Sequence, residues 1–139
     1  MINIKVKVLT EGCELERHGD WIDLKAAEEI LIEAGDFKMI PLGVAIELPV
    51  GHEAHLLPRS STYKNYGIIM ANSMGIIDNA YCGDGDEWHF AALATRTCLI
   101  PKGSRIAQFR VVKSMPTVAI ETVENLGNEN RGGFGSSGI

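Results

Sequence analysis

The sequence predicts an all-β fold, either a barrel or a sandwich, and two observations support this prediction. Short runs in which apolar and polar residues alternate recur along the chain, and this period is typical of half-buried β-strands. A Pro-x-Gly signal occurs at 49–51 and again at 101–103, each time followed by another strand-like run. Pro and Gly at this spacing are typical of tight turns. Short strands with regularly spaced turns favour an all-β architecture over a βαβ protein.

The predicted elements follow in chain order. The first strand lies in residues 2–8, where Ile and Val alternate with polar or basic residues, so one face is expected to be buried. Residues 10–20 are polar and predict a loop. Residues 26–34 have helical propensity but also alternate, so helix and strand both remain open there. A last strand is predicted at 118–122. Two further pairs of strands flank the turns, at 44–48, 52–57, 99–100 and 105–112.

Length and composition describe one ordinary globular domain. The 139 residues are 45% hydrophobic and 22% charged, which is enough for a single core. The net charge of −5 and the lack of a basic stripe argue against a nucleic-acid polymer as partner, whereas a small anion stays compatible. Residues 1–9 alternate and carry lysines, so neither a signal peptide nor a membrane span is expected.

The cysteines and histidines do not predict a metal site. Cys13, Cys82 and Cys98 lack metal-ligand spacing, and an odd, sparse set of thiols indicates a reducing, cytoplasmic location. His52 and His55 lie three residues apart without a Cys or a third His nearby, so a zinc site is not expected.

The chain divides into a β-domain at 1–123 and a terminal segment at 124–139. The terminal segment is rich in Gly, Asn and Ser and cannot pack a core, so its composition is typical of a disordered tail. A functional tail would instead close over a ligand, with backbone N–H groups for anions and Phe134 for stacking. It is not a P-loop, because no Lys-Ser/Thr follows the glycines.

The stretch NSMGIIDNAYCGDGDEW, residues 72–88, has the layout of a β-hairpin with an acid, Asp78, at its shoulder. A carboxylate held on a rigid scaffold beside a ligand-sized space can act as a general base. On this stretch alone, however, Asp78 and Asn79 are equally well explained as ordinary turn formers.

Two polar clusters interrupt the predicted strands. In PRSST, residues 58–62, an Arg fork and several hydroxyls suit phosphate oxygens, although an N-capped helical turn explains the same residues. In KGSRIAQF, residues 102–109, Gln108 interrupts an apolar pattern and needs a hydrogen-bond partner if it is buried.

Taken in order, PRSS, NSMGIIDNAYCG, KGSRIAQF and the terminal RGGFGSSG closely resemble the motifs of the trimeric dUTP pyrophosphatase (dUTPase) family. GDWIDLKAA, residues 19–27, is a plausible match to the family's first motif, so the resemblance covers 19–138. DWIDL and the GDGDEW insertion look most like enzymes of Gram-positive bacteria and their phages. The resemblance implies a dUTPase-like, jelly-roll-like β-barrel that forms a homotrimer.

The resemblance also implies a reaction and its catalytic residues. dUTP would be hydrolysed to dUMP and pyrophosphate by in-line attack of water on the α-phosphate. Asp78 matches the acid that orients and deprotonates this water, and Gln108 matches a residue near the α-phosphate. Tyr81 matches the tyrosine that packs on the deoxyribose and leaves no room for a 2′-hydroxyl. Backbone groups from Ser73 to Asn79 would read the uracil edge.

Phosphate binding is implied for the second motif. Arg59, Ser60 and Ser61 match its residues, with the two serines as the more direct contacts. Asp23 matches the first-motif acid, which supports the second-motif Arg and the water shell of a metal ion. The cofactor implied is Mg²⁺ that rides on the triphosphate largely through waters, without direct protein ligands.

The fifth motif departs from the family pattern. Arg131 stands three residues before Phe134 instead of five, and Glu129 occupies the usual place. Arg17 is therefore a second candidate for the γ-phosphate contact. Phe134 is at the normal place for the aromatic that caps uracil, but the insertion also brings Trp88 and His89 close. The resemblance also implies substrate contacts for Ser136 and Ser137 and places the arm over a neighbouring subunit's site.

Two alternatives remain. A dCTP deaminase shares the fold but uses a Glu as its base, whereas this chain offers Asp78. A nucleotide-gated binding protein that docks a regulator or repressor is the other, with the insertion Asp84–Phe90 as its surface. The insertion is equally explained as a solvated loop without a binding role.

Overall fold

A computed structural model describes residues 1–135 of the chain. The all-β prediction is confirmed: strands account for nearly all the regular structure, with one short helix, α1, among the described residues. The helix spans Thr62–Tyr66. The strands are β1 Lys5–Val8, β2 Glu16–His18, β3 Trp21–Lys25, β4 Ile30–Ile32, β5 Phe37–Pro41, β6 Val44–Glu47, β7 His52–Pro58, β8 Ile68–Met70, β9 Gly75–Ile77, β10 His89–Ala94, β11 Cys98–Ile100 and β12 Arg105–Lys113.

Within the described part of the chain the strands form four antiparallel sheets. The largest has the order β2-β3-β12-β7-β9, and the second has the order β5-β10-β8. Two smaller sheets pair β1 with β6 and β11 with β4. Gln108 of β12 is opposite Asp23 of β3 on one side and Leu57 of β7 on the other. The largest sheet therefore places two predicted motifs in one row of residues, and a third motif begins one residue further along β7, at Pro58.

The core lies between the sheets and explains why the strands hold together. Alternate residues of β10 and β12 point inward, and Phe90, Phe109 and Trp88 are almost fully buried. The Trp88 and Phe109 rings meet edge to face, with centroids 4.9 Å apart, the arrangement that aromatic pairs prefer. Burial of large apolar side chains is the main force that stabilises such a core.

Both predicted Pro-x-Gly turns form. His52 N donates to Pro49 O, and Ser104 N donates to Pro101 O. Gly51 and Gly103, each the third residue of its turn, have φ of 76° and 85°, a region that residues with a Cβ rarely adopt. These turns set the register of the strands that follow them.

Several local predictions were wrong. The polar loop at 10–20 contains strand β2. At 26–34, where the sequence leaves helix and strand both open, the structure has strand β4. The segment 118–122 forms no strand, and its side chains are exposed. Strand β1 forms, but Val6 and Val8 are 37% and 40% exposed. The predicted burial of its face fails because β1 pairs only with β6 within the described residues.

The hairpin predicted at 72–88 is also corrected. Its first strand, β9, pairs with β7, whereas the following strand, β10, pairs with β5 and β8 in another sheet. The turn residues between them are real, because Tyr81 N donates to Asp78 O and Asp86 N to Gly83 O. The segment is a loop between two sheets rather than a two-stranded hairpin.

Gly43 offers a test of packing beneath β6. Its φ is 72°, and an added Cβ would lie 2.5 Å from Cys13 Sγ. Gly43→Ala should therefore combine backbone strain with a steric clash and destabilise the fold by about 2–4 kcal/mol. Gly51→Ala, with φ of 76° and no atom near the added Cβ, should cost only about 1–2 kcal/mol of strain. Thermal unfolding of both variants measures the difference, and equal losses would contradict the clash.

Among residues 1–135, no helix is long and apolar enough to cross a membrane.

Candidate active site

Asp78 lies at the edge of a cavity of about 530 Å³, which is the size of a small-molecule site. The residue directly follows β9 and is exposed. Its Oδ1 accepts a hydrogen bond of 2.9 Å from Ala80 N, which holds the carboxylate in an Asx turn. The cavity is lined by Met39, Leu56, Asn72, Gly75, Ile76, Ile77, Asp78, Ala80, Tyr81, Glu87, Trp88 and His89.

Tyr81 stands across the loop from Asp78 in the same cavity wall. Its hydroxyl donates a hydrogen bond of 2.9 Å to Glu87 O, which anchors the ring although 42% of the residue is exposed. His89 Nδ1 lies 3.0 Å from the same carbonyl. Glu87 thus organises two cavity-lining rings through its backbone, a role that the sequence did not reveal. Its side chain accepts from Gly43 N at 2.8 Å.

Trp88 does not present a free ring to the cavity mouth. It is only 1% exposed and packs against Phe109 in the core. Its burial argues against the hypothesis that this ring stacks on a base. His89, half-buried at the start of β10, remains a lining residue with a reachable ring.

Ser73 and Asn79 flank the cavity but are not among its lining residues. Ser73 has φ of 65°, a left-handed conformation that costs a non-glycine residue free energy. Its N–H donates to Met70 O at 3.0 Å. The backbone therefore turns sharply between β8 and β9, where Asn72 and Gly75 line the cavity.

The second-motif residues lie at the start of helix α1. Thr62 is buried, and its hydroxyl donates to Ile106 O and accepts from Arg59 N, both at 2.8 Å. Ser61 occupies the N-cap position without a side-chain capping bond. Ser60 is exposed and Ser61 half-buried. A helical turn begins here without the predicted side-chain cap, and the two serines lie beside Arg59.

Asp23 is buried beneath this Arg, at 2% exposure. Its Oδ2 lies 3.2 Å from Arg59 Nε and 3.7 Å from Arg105 Nη1. These contacts are ion pairs, but Oδ2 has no hydrogen bond of good geometry within the described residues. Removing one partner of such a buried pair would leave the other uncompensated. Asp23 therefore fixes the position of Arg59.

Gln108 lies beside Asp23 on the adjoining strand. Its Nε2 donates to Pro58 O at 3.1 Å, which satisfies the requirement that the sequence raised for a buried amide. Arg59 Nη1 reaches Arg105 O at 3.4 Å and Ser61 Oγ at 3.5 Å. We refer to Asp23, Arg59, Ser60, Ser61, Arg105 and Gln108 as the phosphate cluster.

The sequence assigned no role to Arg105, which belongs to this cluster, or to His18, which contacts Arg105. Arg105 Nη1 donates to His18 Nε2 at 3.0 Å, and Glu16 Oε2 lies 3.6 Å from the same guanidinium. The pKa of Glu16 is lowered, first of all by its hydrogen bond to Lys25. Alternation on β2, which places Glu16 and His18 on one face, is the signal that could have found them.

Three predicted site residues, Arg17, Arg131 and Phe134, do not line the Asp78 cavity. Arg17 lies on the opposite face of β2 from Glu16 and His18, and its Nε donates to Gly19 O at 3.0 Å. Arg131 and Phe134 are exposed in the terminal segment. Ser136 and Ser137 lie outside the described residues.

The Asp78 cavity and the phosphate cluster are separate in this chain. Ile77 of β9 is opposite Ala54 of β7, so Asp78 is level with Glu53, whereas Gln108 is level with Leu57. Four residues along a strand span about 13 Å, and the two strand spacings between β9 and β12 add about 10 Å sideways. Asp78 and Gln108 are therefore about 16 Å apart, too far to contact one phosphate together.

Comparison with known proteins identifies the family. A family model described as dUTPase matches residues 17–138. The chain is 54% identical, over 99% of both sequences, to the deoxyuridine 5'-triphosphate nucleotidohydrolase of the SPbeta prophage of Bacillus subtilis strain 168. It is 40% identical to the nucleotidohydrolase of the same name from Rickettsia typhi, over 100% of this chain and 99% of that one.

Solved structures agree on the fold. The dUTPase of Staphylococcus bacteriophage 80alpha has a TM-score of 0.80 at 22% identity and covers 99% of both chains. The dUTPase of Streptococcus mutans has a TM-score of 0.71 at 27% identity, over 84% of this chain and 98% of that one. The Gram-positive and phage character that the motifs indicated is found again in these relatives. Because the family model matches most of its length and a curated relative is more than half identical from end to end, the chain belongs to the dUTPase family.

Proposed function

We propose that this chain hydrolyses dUTP to dUMP and pyrophosphate, with Asp78 as the general base. The observation that carries the proposal is the Asp78 carboxylate, held by Ala80 N at the rim of a 530 Å³ cavity whose wall includes the anchored ring of Tyr81. Family membership supplies the reaction class. The reaction would limit uracil in DNA and supply dUMP for dTMP synthesis.

The chemistry needs placement and charge neutralisation more than covalent steps. Asp78 accepts a proton from water as the water oxygen forms its bond to the α-phosphorus. The bond from that phosphorus to the bridging oxygen breaks, and pyrophosphate leaves. Gln108 is positioned by Pro58 O to hydrogen-bond near the α-phosphate. Tyr81 would pack on the deoxyribose and exclude a 2′-hydroxyl.

Phosphate binding is assigned to Ser60 and Ser61, with Arg59 behind them. Arg59 is held by Asp23 at 3.2 Å, so it contributes positive charge from a fixed position. Ser60 is exposed and Ser61 half-buried, which makes the two hydroxyls the more direct donors. In the proposed complex the arm adds Arg131, Phe134, Ser136 and Ser137, Arg17 is the second candidate for the γ-phosphate, and His89 is the second candidate for the uracil cap.

Mg²⁺ is the cofactor that we propose, and the residues present fit it as a companion of the triphosphate. Among the described residues, no group of three or more His, Cys, Asp or Glu side chains is arranged to hold a metal ion, so the phosphates and waters would supply its ligands. The buried Asp23 Oδ2, which lacks a hydrogen bond among the described residues, fits a support for such a water rather than a direct ligand. When bound, the ion neutralises phosphate charge. A dUTPase of phage phi11 coordinates a structural Mg(II) ion.

A homotrimer is proposed because one chain does not complete the site. The Asp78 cavity and the phosphate cluster lie about 16 Å apart, so the cavity of one subunit would meet the cluster of a neighbour. An exposed apolar face on β5, β10 and β8 adjoins the cavity, since Met39 belongs to both. Phe37 and Ile69 on this face are 54% and 41% exposed, and both are opposite Leu93. Such a face fits subunit contact.

Ile69→Glu tests this face. An acid there should prevent subunit contact, because burying an unpaired carboxylate is costly. We expect the variant to elute as a monomer in size-exclusion chromatography with light scattering and to lose at least about 100-fold in kcat/KM. Val50→Glu, at a turn residue that is 90% exposed, is the control and should stay trimeric and active. A trimeric, active Ile69→Glu variant would reject this face as the interface.

A substrate assay tests the activity itself. Purified protein with Mg²⁺ should release pyrophosphate from dUTP and leave UTP and dTTP unchanged. Ammonia release from dCTP would instead indicate the deaminase, which family membership already disfavours. Binding of dUTP without turnover of either nucleotide would indicate a binding protein.

Three further parts of the proposal concern surroundings. The segment 124–139 is proposed as an arm that closes over a neighbouring site on the 1–123 domain, supported by the exposure of Phe134. The cytoplasm is the proposed location, which the free thiols of Cys13, Cys82 and Cys98 fit. A regulator surface on Asp84–Phe90 is weakened, because Trp88 and Phe90 in that segment are core residues.

A further inference from the structure

His18 connects the phosphate cluster to strand β2. Its Nε2 lies 3.0 Å from Arg105 Nη1 and 3.6 Å from Asp23 Oδ2. A guanidinium can only donate hydrogen bonds, so Nε2 accepts from Arg105 only while Nε2 itself carries no hydrogen. Half of the side chain is exposed, at 53%, so protons can reach it.

Charged groups face His18 from each strand packed around it. On β2, Glu16 Oε2 lies 3.5 Å from Nε2. On β3, Asp23 lies below and Lys25 Nζ is bound to Glu16 Oε1 at 2.9 Å. On β12, Arg105 is the donor. With His18 neutral, three cations (Lys25, Arg105 and the Arg59 that Asp23 holds) surround two carboxylates.

Protonation of His18 changes these contacts in a defined way. Nε2 would gain a hydrogen and could no longer accept from Arg105. The imidazolium would donate to Asp23 or Glu16, where the carboxylate oxygens already lie within 3.6 Å. Arg105, which is 40% exposed, would lose this acceptor and keep its ion pairs with Glu16 and Asp23 at 3.6 and 3.7 Å. The cluster would gain one positive charge beside the serines.

We propose that His18 is a positioning residue that makes the affinity of the phosphate cluster for the triphosphate depend on pH, by accepting a hydrogen bond from Arg105 when neutral and giving up that bond when protonated. The inference rests on the proposed function, because it assumes that a triphosphate binds at this cluster. Protonated His18 strengthens binding through its added charge and through a guanidinium that no longer bonds to the ring. At acidic pH the KM for dUTP is lower in wild type than in a variant without the imidazole. The kcat of both proteins still depends on Asp78.

The test compares wild type with His18→Gln in the full-length protein. The Gln Oε1 can still accept from Arg105 but cannot gain a proton. At about pH 8, the KM values should agree within about twofold. At about pH 5.5, wild type should have the lower KM by about three- to tenfold. The titration of dUTP itself affects both proteins equally and cancels in the ratio.

Two controls separate positioning from general stability. His52 lies in a distant turn, with its Nδ1 3.0 Å from Val50 O. His52→Gln should have the wild-type KM at both pH values. Nitrogen NMR of wild type at about pH 8 should show His18 with a protonated Nδ1 and an acceptor Nε2. A KM ratio that is the same at both pH values, or an effect confined to kcat, would overturn the inference. Dependence of dUTP turnover on Asp78 would in that case leave the proposed function intact.

Discussion

Asp78→Asn should lower kcat for dUTP by about 10²–10⁴ and leave KM and the fold almost unchanged. Asparagine has the same shape, and its Oδ1 can still accept from Ala80 N, as the carboxylate does at 2.9 Å. It cannot take a proton from water. The Asp78 side chain is exposed, so the substitution removes no buried contact. Pyrophosphate release under saturating dUTP measures the loss, and binding of a non-hydrolysable dUTP analogue measures the retained affinity.

Asp84→Asn is the matched control for this result. Asp84 belongs to the same loop, its side chain is 92% exposed, and its one ion pair, with Lys7 at 3.7 Å, is exposed as well. Such pairs contribute little to stability, and we expect wild-type activity. If Asp78→Asn kept more than about a tenth of wild-type kcat, the general base would have to be sought elsewhere.

The fold could be predicted where alternation and turn chemistry agree. The two Pro-x-Gly turns and their flanking strands satisfy both, so local and tertiary preferences point the same way. At residues 26–34, where propensity and alternation disagree, burial of Ile30 and Ile32 in a strand overrides the helical propensity. The predicted hairpin does not form because β10 pairs with β5 and β8, which belong to a different sheet. Local sequence specifies a turn but not the partner of the strand that follows it.

The site was predictable only where its residues occur in motifs. Asp78 and Tyr81 line the cavity as the resemblance implied, and Arg59 is supported by Asp23. The contact of His18 with Arg105 joins residues 87 positions apart, which no local pattern reveals. Trp88 was interpreted as a stacking ring, yet it continues the buried alternation of Phe90 and Ala92. The run FAALA at 90–94 is apolar throughout, so the sequence does not show which of its faces is buried.

Mixing two inactive variants should restore activity, because Asp78 and Gln108 cannot serve the same substrate from one chain. Strand register places them about 16 Å apart, although both are assigned to the α-phosphate. Asp78→Asn removes the base, and Gln108→Ala removes a donor near the same phosphate, which typically costs about 10²–10³ in kcat. In a mixed trimer, some sites pair the intact Asp78 of one subunit with the intact Gln108 of its neighbour.

Random exchange of equal amounts makes about one site in four complete, so the mixture should recover up to about a quarter of wild-type kcat. Both parents alone should stay at or below about 1%. Subunits are exchanged by denaturing and refolding the mixture, and each parent is treated in the same way. Mixing Asp78→Asn with a chain that carries both substitutions is the control, because no subunit then supplies an acid. Activity no higher than the mean of the two parents would mean that each chain builds its own site, and the trimer would then have no catalytic role.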